Sequence, residues 1–147
     1  MIILTCLASK LSNKQVIWVE DRLEHLTAAS SATGRLTKLR ASINERGLIE
    51  ALDYDQIDDV GAYPRAPEPA SLYRMHGNLS GAYKVKNIRC RNRVVLTNKT
   101  PSGLNRGFGG PQHYFALERL VHQIAVELNL NVLDVIKVNL LEKKQFP

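Results

Sequence analysis

Apolar residues return every three or four positions near the start of the chain, at Ile3, Leu4, Leu7, Ala8 and Leu11. That spacing predicts a short helix, ended by Ser12-Asn13. The unbroken run Val16-Ile17-Trp18-Val19 predicts a short buried strand. Asp21 offers an N-cap for a second short helix carrying Leu23, Leu26 and Ala29. From Gly34 to Ile43 the pattern changes to alternation, with Leu39, Ala41 and Ile43 on one face. Asn44-Glu45-Arg46-Gly47 supplies turn chemistry, Gly47 being free to take positive φ. A return strand from Leu48 towards Ile57 completes a long hairpin.

Pro64, Pro67 and Pro69 make residues 63–69 an extended loop, and residues 70–75 are expected to form a turn of helix. A strand over 85–97 places Ile88, Cys90, Val94 and Leu96 on one face and Arg89, Arg91 and Arg93 on the other. Thr100-Pro101-Ser102-Gly103 makes a turn, and Pro111 suits the first turn of a following helix. Leu117, Leu120, Val121, Ile124 and Leu128 form its apolar stripe, opposite Glu118, Arg119, His122 and Glu127. Asn129 ends that helix, and Asn131 caps a last short one carrying Leu133, Ile136 and Leu140. The expected fold class is α+β: a long β-hairpin and further strands with a C-terminal pair of helices. Residues 1–147 are expected to form a single domain.

Composition changes this picture little. Hydrophobic residues make up 44% and charged residues 23%, as in an ordinary globular chain. The net charge of +6 raises the question of an anionic partner, which only a localised patch can answer. Cys6 and Cys90 lie far apart, no Cys/His cluster has metal spacing, and reduced thiols are expected. The apolar start is short and meets Lys10 early, so it reads as neither a signal peptide nor a membrane span. A cytoplasmic location and no membrane partner are the expectation.

Several candidate chemistries fall away. The acidic run Asp53, Asp55, Asp58 and Asp59 lacks the loop Gly and closing Glu of a calcium loop, and reads as a solvated strand end. His25, His76, His113 and His122 show no ligand spacing, and His113 and His122 are expected to be solvated. Ser30-Ser31 has no paired His/Asp signature. Cys90 reads as a small core residue. Arg89, Arg91 and Arg93 lack the interleaved aromatics of a base-stacking surface. A solvated or subunit-facing strand is expected there, and no nucleic acid. The segment Arg106-Gly107-Phe108-Gly109-Gly110-Pro111 is different: glycines around one aromatic, leading into a helix N-terminus. Such a backbone can approach a ligand closely, and the free N–H groups of the helix end favour an anion or electron-rich oxygen. The alternative is a connection that merely turns the chain. The spacing fits neither the P-loop nor the dinucleotide fingerprint.

The stretch Arg106-Gly107-Phe108-Gly109-Gly110-Pro111-Gln112, followed by Glu118-Arg119, resembles the R-G-F-G-G-P-Q…E-R segment of the molybdenum hydroxylases. These are the xanthine dehydrogenases, aldehyde oxidases and carbon-monoxide-dehydrogenase-type large subunits. The likeness is collinear over almost the whole chain. Trp18 to Glu24 resembles W-x-E-D-R-x-E, Asp59 to Tyr63 resembles D-x-G-A-Y, and Gly81 to Ile88 resembles G-x-Y-x-I-P-N-V. Thr97 to Pro101 resembles T-N-x-x-P, and Leu133 to Leu140 resembles L-D-P-x-x-x-R-x-N-L.

The resemblance implies that Arg106, Gly107, Phe108 and Gly109 meet a molybdenum-molybdopterin cofactor, with the Phe108 ring beside the substrate. Arg74 falls at the spacing of a substrate-orienting arginine of the xanthine-oxidising branch; its other reading is a surface arginine. No cysteine lies in the loop, which disfavours carbon monoxide chemistry. Asn105 stands where the family carries an aromatic residue. No residue matches the catalytic base, the family's G-G-x-F-G-G-K motif would precede Met1, and the segments holding the pterin would follow Pro147. No catalytic residue and no metal ligand is therefore expected here. The cofactor is expected only in a complete assembly, none being held tightly by the isolated chain. Expected partners are other segments of the same subunit, iron-sulfur and flavin subunits, and a second copy when the chain is isolated. The alternative is a catalytically inactive remnant acting as a structural or oligomerising module.

Overall fold

The computed structural model describes residues 1–32, 34–66 and 74–145, and at Arg74 the backbone alone. Helices α1 (Ile2–Ser12) and α2 (Arg22–Ala28) come first. Strands β1 (Gly34–Ile43), β2 (Ile49–Asp59) and β3 (Asn87–Val95) follow, then helices α3 (Gly110–Glu127) and α4 (Val132–Asn139). Short 3₁₀ turns span Arg74–Asn78 and Lys143–Gln145. The architecture is α+β, with the expected hairpin and the expected C-terminal helix pair. Residues 67–73, which include most of the expected turn of helix over 70–75, lie outside the described residues.

The hairpin forms where alternation and turn chemistry agree. The Asn44 carboxamide accepts the N–H groups of Arg46 and Leu48, and Gly47 takes φ 75°. β1 pairs antiparallel with β2 from Gly34↔Asp59 to Ile43↔Ile49, and β3 joins the other side of β2 in parallel. The strand order is β1-β2-β3. One face of the sheet packs on α3 through Leu52, Tyr54, Leu117, Val121 and Ile124, with Val135 of α4 added. Asn139 ties α4 to the hairpin turn. Its carboxamide accepts from Ile49 N at 2.8 Å and donates to the carbonyls of Gly47 and Val135 at 2.8 Å each.

Two expectations fail on burial. Val16-Ile17-Trp18-Val19 is no strand, and Ile17, Trp18 and Val19 are exposed. Among the described residues it finds no sheet edge, and an apolar run without a partner strand has no ladder to join. Asp58, read as part of a solvated strand end, is fully buried. It lies in phase with Leu52, Tyr54 and Gln56, so the two-residue period of β2 turns it inward. Arg35 of β1 pairs with it through two hydrogen bonds, 2.6 and 2.9 Å, and Asn92 of β3 donates a third at 2.8 Å. Asp53 and Asp55 of the same run are outward and paired. Arg89 and Arg40 meet Asp53, and Arg93 meets Asp55. The Arg89 guanidinium, helped by Arg40, holds the Asp53 carboxyl down to about 2 against desolvation.

Asp59 closes the end of the sheet. Its carboxylate accepts from Lys99 Nζ and Thr97 Oγ1 at 2.6 Å each and from Gly61 N at 3.0 Å. Lys99 first, then Thr97 and the Gly61 N–H, lower its pKa to about 2. Gly61, at φ 75°, brings its backbone so near Thr100 that a Cβ would lie 2.4 Å from the Thr100 carbonyl oxygen. Two motifs far apart in sequence, 59–63 and 97–101, thus form one clasp. The chain leaving it is aimed at the glycine-rich loop.

Candidate functional site

The loop is anchored at its entry. Ser102 N donates to the Val60 carbonyl and Gly103 N to that of Ser31, so the segment after α2 braces the approach. A Cβ on Gly103 would lie 2.6 Å from Ser30 Cβ, so only glycine fits that crossing. Asn105 then supplies turn chemistry. Its carboxamide oxygen accepts Arg106 N, and its carbonyl accepts Phe108 N at 3.1 Å. This is a local reason for Asn at a place where the resembled family carries an aromatic.

Three consecutive residues follow with left-handed backbones: Gly107 at φ 103°, Phe108 at 46° and Gly109 at 81°. For Phe108 that conformation is strained by about 1–3 kcal/mol, and strain of this kind collects at ligand clamps. It turns the chain into α3, where Gly109 is the N-cap and Pro111 sits in the first turn, with no side-chain cap. Gly110 N donates to the Gly107 carbonyl at 2.9 Å. No acceptor among the described residues takes the N–H groups of Gly107 or Gly109. Arg106 is exposed beside them and Phe108 half-buried, around a small cleft shared with Ala32, Asn105 and Gln112. The arrangement offers two backbone donors and a guanidinium at a helix N-terminus, a donor set for an anionic or oxygen-rich group.

Arg74 begins the 3₁₀ turn Arg74–Asn78, and its side chain lies outside the described residues. The turn itself packs beside the loop exit: Met75 Sδ would lie 3.3 Å from a Cβ on Gly110, and Asn78 donates to the Tyr114 hydroxyl at 2.8 Å. The turn that Arg74 begins therefore lies at the N-terminal end of α3, where the 106–109 loop enters it.

His113 departs from expectation as Asp58 does. It was expected in solvent, yet it is fully buried. Its ring stacks on Tyr54 with centroids 5.4 Å apart and meets Tyr114 edge-on. Burial pushes its pKa down, and the Arg35 cation adds to that. Neither ring nitrogen completes a well-formed hydrogen bond, and the fully buried Gln56 carboxamide is in the same state. Through His113 the first turn of α3 thus rests on Tyr54 of the sheet, within reach of the Arg35 charge. The signal available was phase. His113, Leu117, Val121 and Ile124 follow one helical stripe, which makes His113 its first member. His122 is exposed as expected, and half-buried Cys90 packs against the core with its thiol pKa raised by desolvation. Among the described residues no three His, Cys, Asp or Glu side chains gather as a metal site, and no helix is long and apolar enough to cross a membrane.

Residues 1–140 match the family model of the molybdopterin cofactor-binding domain. The chain is 31% identical over 140 residues to the 6-hydroxypseudooxynicotine dehydrogenase complex subunit gamma of Paenarthrobacter nicotinovorans, covering 95% of this chain and 18% of that one. It is 28% identical over 146 residues to the carbon monoxide dehydrogenase large chain of Hydrogenophaga pseudoflava, again covering 95% and 18%. Quinoline 2-oxidoreductase from Pseudomonas putida 86 superposes with a TM-score of 0.87 at 29% identity, over 99% of this chain and 19% of that one. The chain therefore spans about a fifth of the length of these relatives. With the match running through hairpin, clasp, loop and both C-terminal helices, the chain belongs to the molybdopterin cofactor-binding domain family.

Proposed function

We propose that this chain contributes the 106–109 loop to the molybdopterin site of an oxidoreductase of the molybdenum hydroxylase type. The observation that carries this reading is the run of three left-handed residues leaving two backbone N–H groups without acceptors among the described residues, beside an exposed arginine. Gly107 and Gly109 would donate to the cofactor, and Arg106 would add charge and a fork of donors. When bound, the cofactor supplies the redox and oxygen-transfer chemistry. Phe108 packs beside the substrate, and Arg74 orients it from the neighbouring turn. No residue of this chain acts as the catalytic base.

The site is completed by other segments of the same subunit and by iron-sulfur and flavin partner chains. Residues 1–147 serve as one domain of that assembly, in the cytoplasm. The isolated chain holds the cofactor weakly, since one loop replaces few of the polar contacts such a cofactor needs. The test is to produce the chain alone and together with the remaining segments of its subunit, then measure molybdenum and pterin. Stoichiometric cofactor is expected only in the assembly, and Arg106→Ala should lower it. Stoichiometric cofactor on the chain alone, or an assembly indifferent to Arg106→Ala, contradicts the reading.

One observation favours the structural alternative. α1 buries no residue, and Ile2, Ile3, Leu4, Leu7 and Leu11 are all exposed. Apolar surface of that extent marks an interface, so the isolated chain self-associates through it. An inactive oligomerising module would keep this behaviour and fail the cofactor test.

A further inference from the structure

The outward face of the sheet is charged in an unbalanced way. The registers align Lys38 and Arg40 of β1, Asp53 and Asp55 of β2, and Arg89, Arg91 and Arg93 of β3 on that face. Five cations thus surround two carboxylates. The third acid of the face, Asp59, is taken by Lys99. Asp53 is already shared between Arg40 and Arg89, Asp55 is paired with Arg93, and Arg91 stands outside these pairs. β3 is also an edge strand: among the described residues no strand pairs with its outer side.

We propose that the outer edge of β3 receives an acidic β-strand from a partner protein, whose alternate carboxylates pair with Arg89, Arg91 and Arg93. An edge strand offers its free N–H and C=O groups to an added strand. Side chains of one face recur about every 6.6–6.8 Å along both strands, so a carboxylate at every second position keeps step with the three guanidiniums. On the inner side Asp53 and Asp55 of β2 already show this pairing. A second copy does not fit. Edge-to-edge pairing of two β3 strands would set one arginine row against the other. The acidic strand of this chain, β2, has both edges occupied. Nucleic acid fits less well, because no aromatic lies on the face to stack a base. The inference is independent of the cofactor reading.

The test uses the full chain and a fluorescein-labelled synthetic decapeptide carrying Asp at alternate positions between Val and Thr. Anisotropy at low salt is compared with a Lys-for-Asp peptide and with labelled oligo-dT. The acidic peptide should bind best, weaken with salt, and slow amide exchange along residues 87–95. Arg91→Glu should weaken it about tenfold and Arg91→Gln less, since among the described residues Arg91 holds no internal pair whose loss would disturb the fold. Equal binding of the two peptides, tighter binding of oligo-dT, or affinity unmoved by both Arg91 variants overturns the proposal.

Discussion

The N-terminal arm and the sheet–α3 body are built from the same residue types at similar spacing, with opposite outcomes. In α3, apolar positions at helical period meet the sheet, and Leu117 and Val121 are fully buried. In α1, Ile3, Leu4, Leu7 and Leu11 recur at the same period and meet solvent. Caps do not make the difference. α2 carries a complete Asp21/Glu24 capping box yet buries nothing, whereas α3 has no side-chain cap. The arm is tied to the body where Gly103 N meets the Ser31 carbonyl and Thr100 Oγ1 meets that of Thr27. Capping and periodicity define a helix, but burial needs a complementary face at the right distance, and only the body supplies one.

The contrast can be broken from the body side. Asp58→Ala should cost the most, about 3–5 kcal/mol, because it removes the carboxylate that takes two hydrogen bonds from the buried Arg35 cation. Urea denaturation of both proteins measures it, and a cost below about 1 kcal/mol would show the pair to be reached by water. Leu117→Ala follows at about 2–5 kcal/mol from lost burial and the cavity left behind. Thermal melts should place it well below wild type, and an unchanged melting point would mean that α3 is not seated on the sheet.

Asn139→Ala removes one accepted and one donated bond at the hairpin turn and one donated bond within α4. Leaving Ile49 N buried and unpaired costs about 1–3 kcal/mol. Faster amide exchange at Ile49 than at Leu39 would locate the loss at the turn, and unchanged exchange would refute the clamp.

Buried His113 in the first turn of α3 gives a pH dependence. His113 has its folded pKa lowered from 6.5 by burial and by Arg35. The Arg35 and His76 charges act on it, and the rings of Tyr54 and Tyr114 touch it. A depressed basic group favours the unfolded chain once that chain takes up a proton. Stability is therefore full above pH 6.5 and falls as pH drops from there through the folded value. His113→Phe should flatten that part of the profile, and an unaltered slope between neutral and mildly acid pH would assign it to other groups.

The smallest effect on stability belongs to the arm. Leu7→Ser with Ile3→Ser should move the unfolding free energy by no more than about 0.5 kcal/mol, since both side chains are exposed. Light scattering should nevertheless show reduced self-association. A large loss of stability would mean that α1 does pack on the body in solution.

Local signals were legible wherever one residue type serves one backbone need. Gly47 in the hairpin turn, Asp21 and Asn131 at helix starts and Pro111 in the first turn of α3 all stand where sequence reading places them. The 106–109 loop was legible as a unit too, because glycines around one aromatic before a helix permit few backbones. What could not be read was direction. Val16 to Val19 has the composition of a strand and no edge to join, Asp58 has the charge of a surface residue and the phase of a core one, and His113 lies one helical turn before the stripe it belongs to.

By itself the sequence determined the hairpin, its turn, the C-terminal helix pair and the family, since these rest on short-range periodicity, turn chemistry and collinear motifs. Only the tertiary structure decided which faces are covered. It buried Asp58 and His113, and it joined 59–63 to 97–101 through Asp59. It also set the Arg74 turn beside Gly110 and left the arm and the arginine row uncovered. The reason is that burial and pairing depend on what a side chain meets across space, and a residue carries no local mark of its distant neighbour.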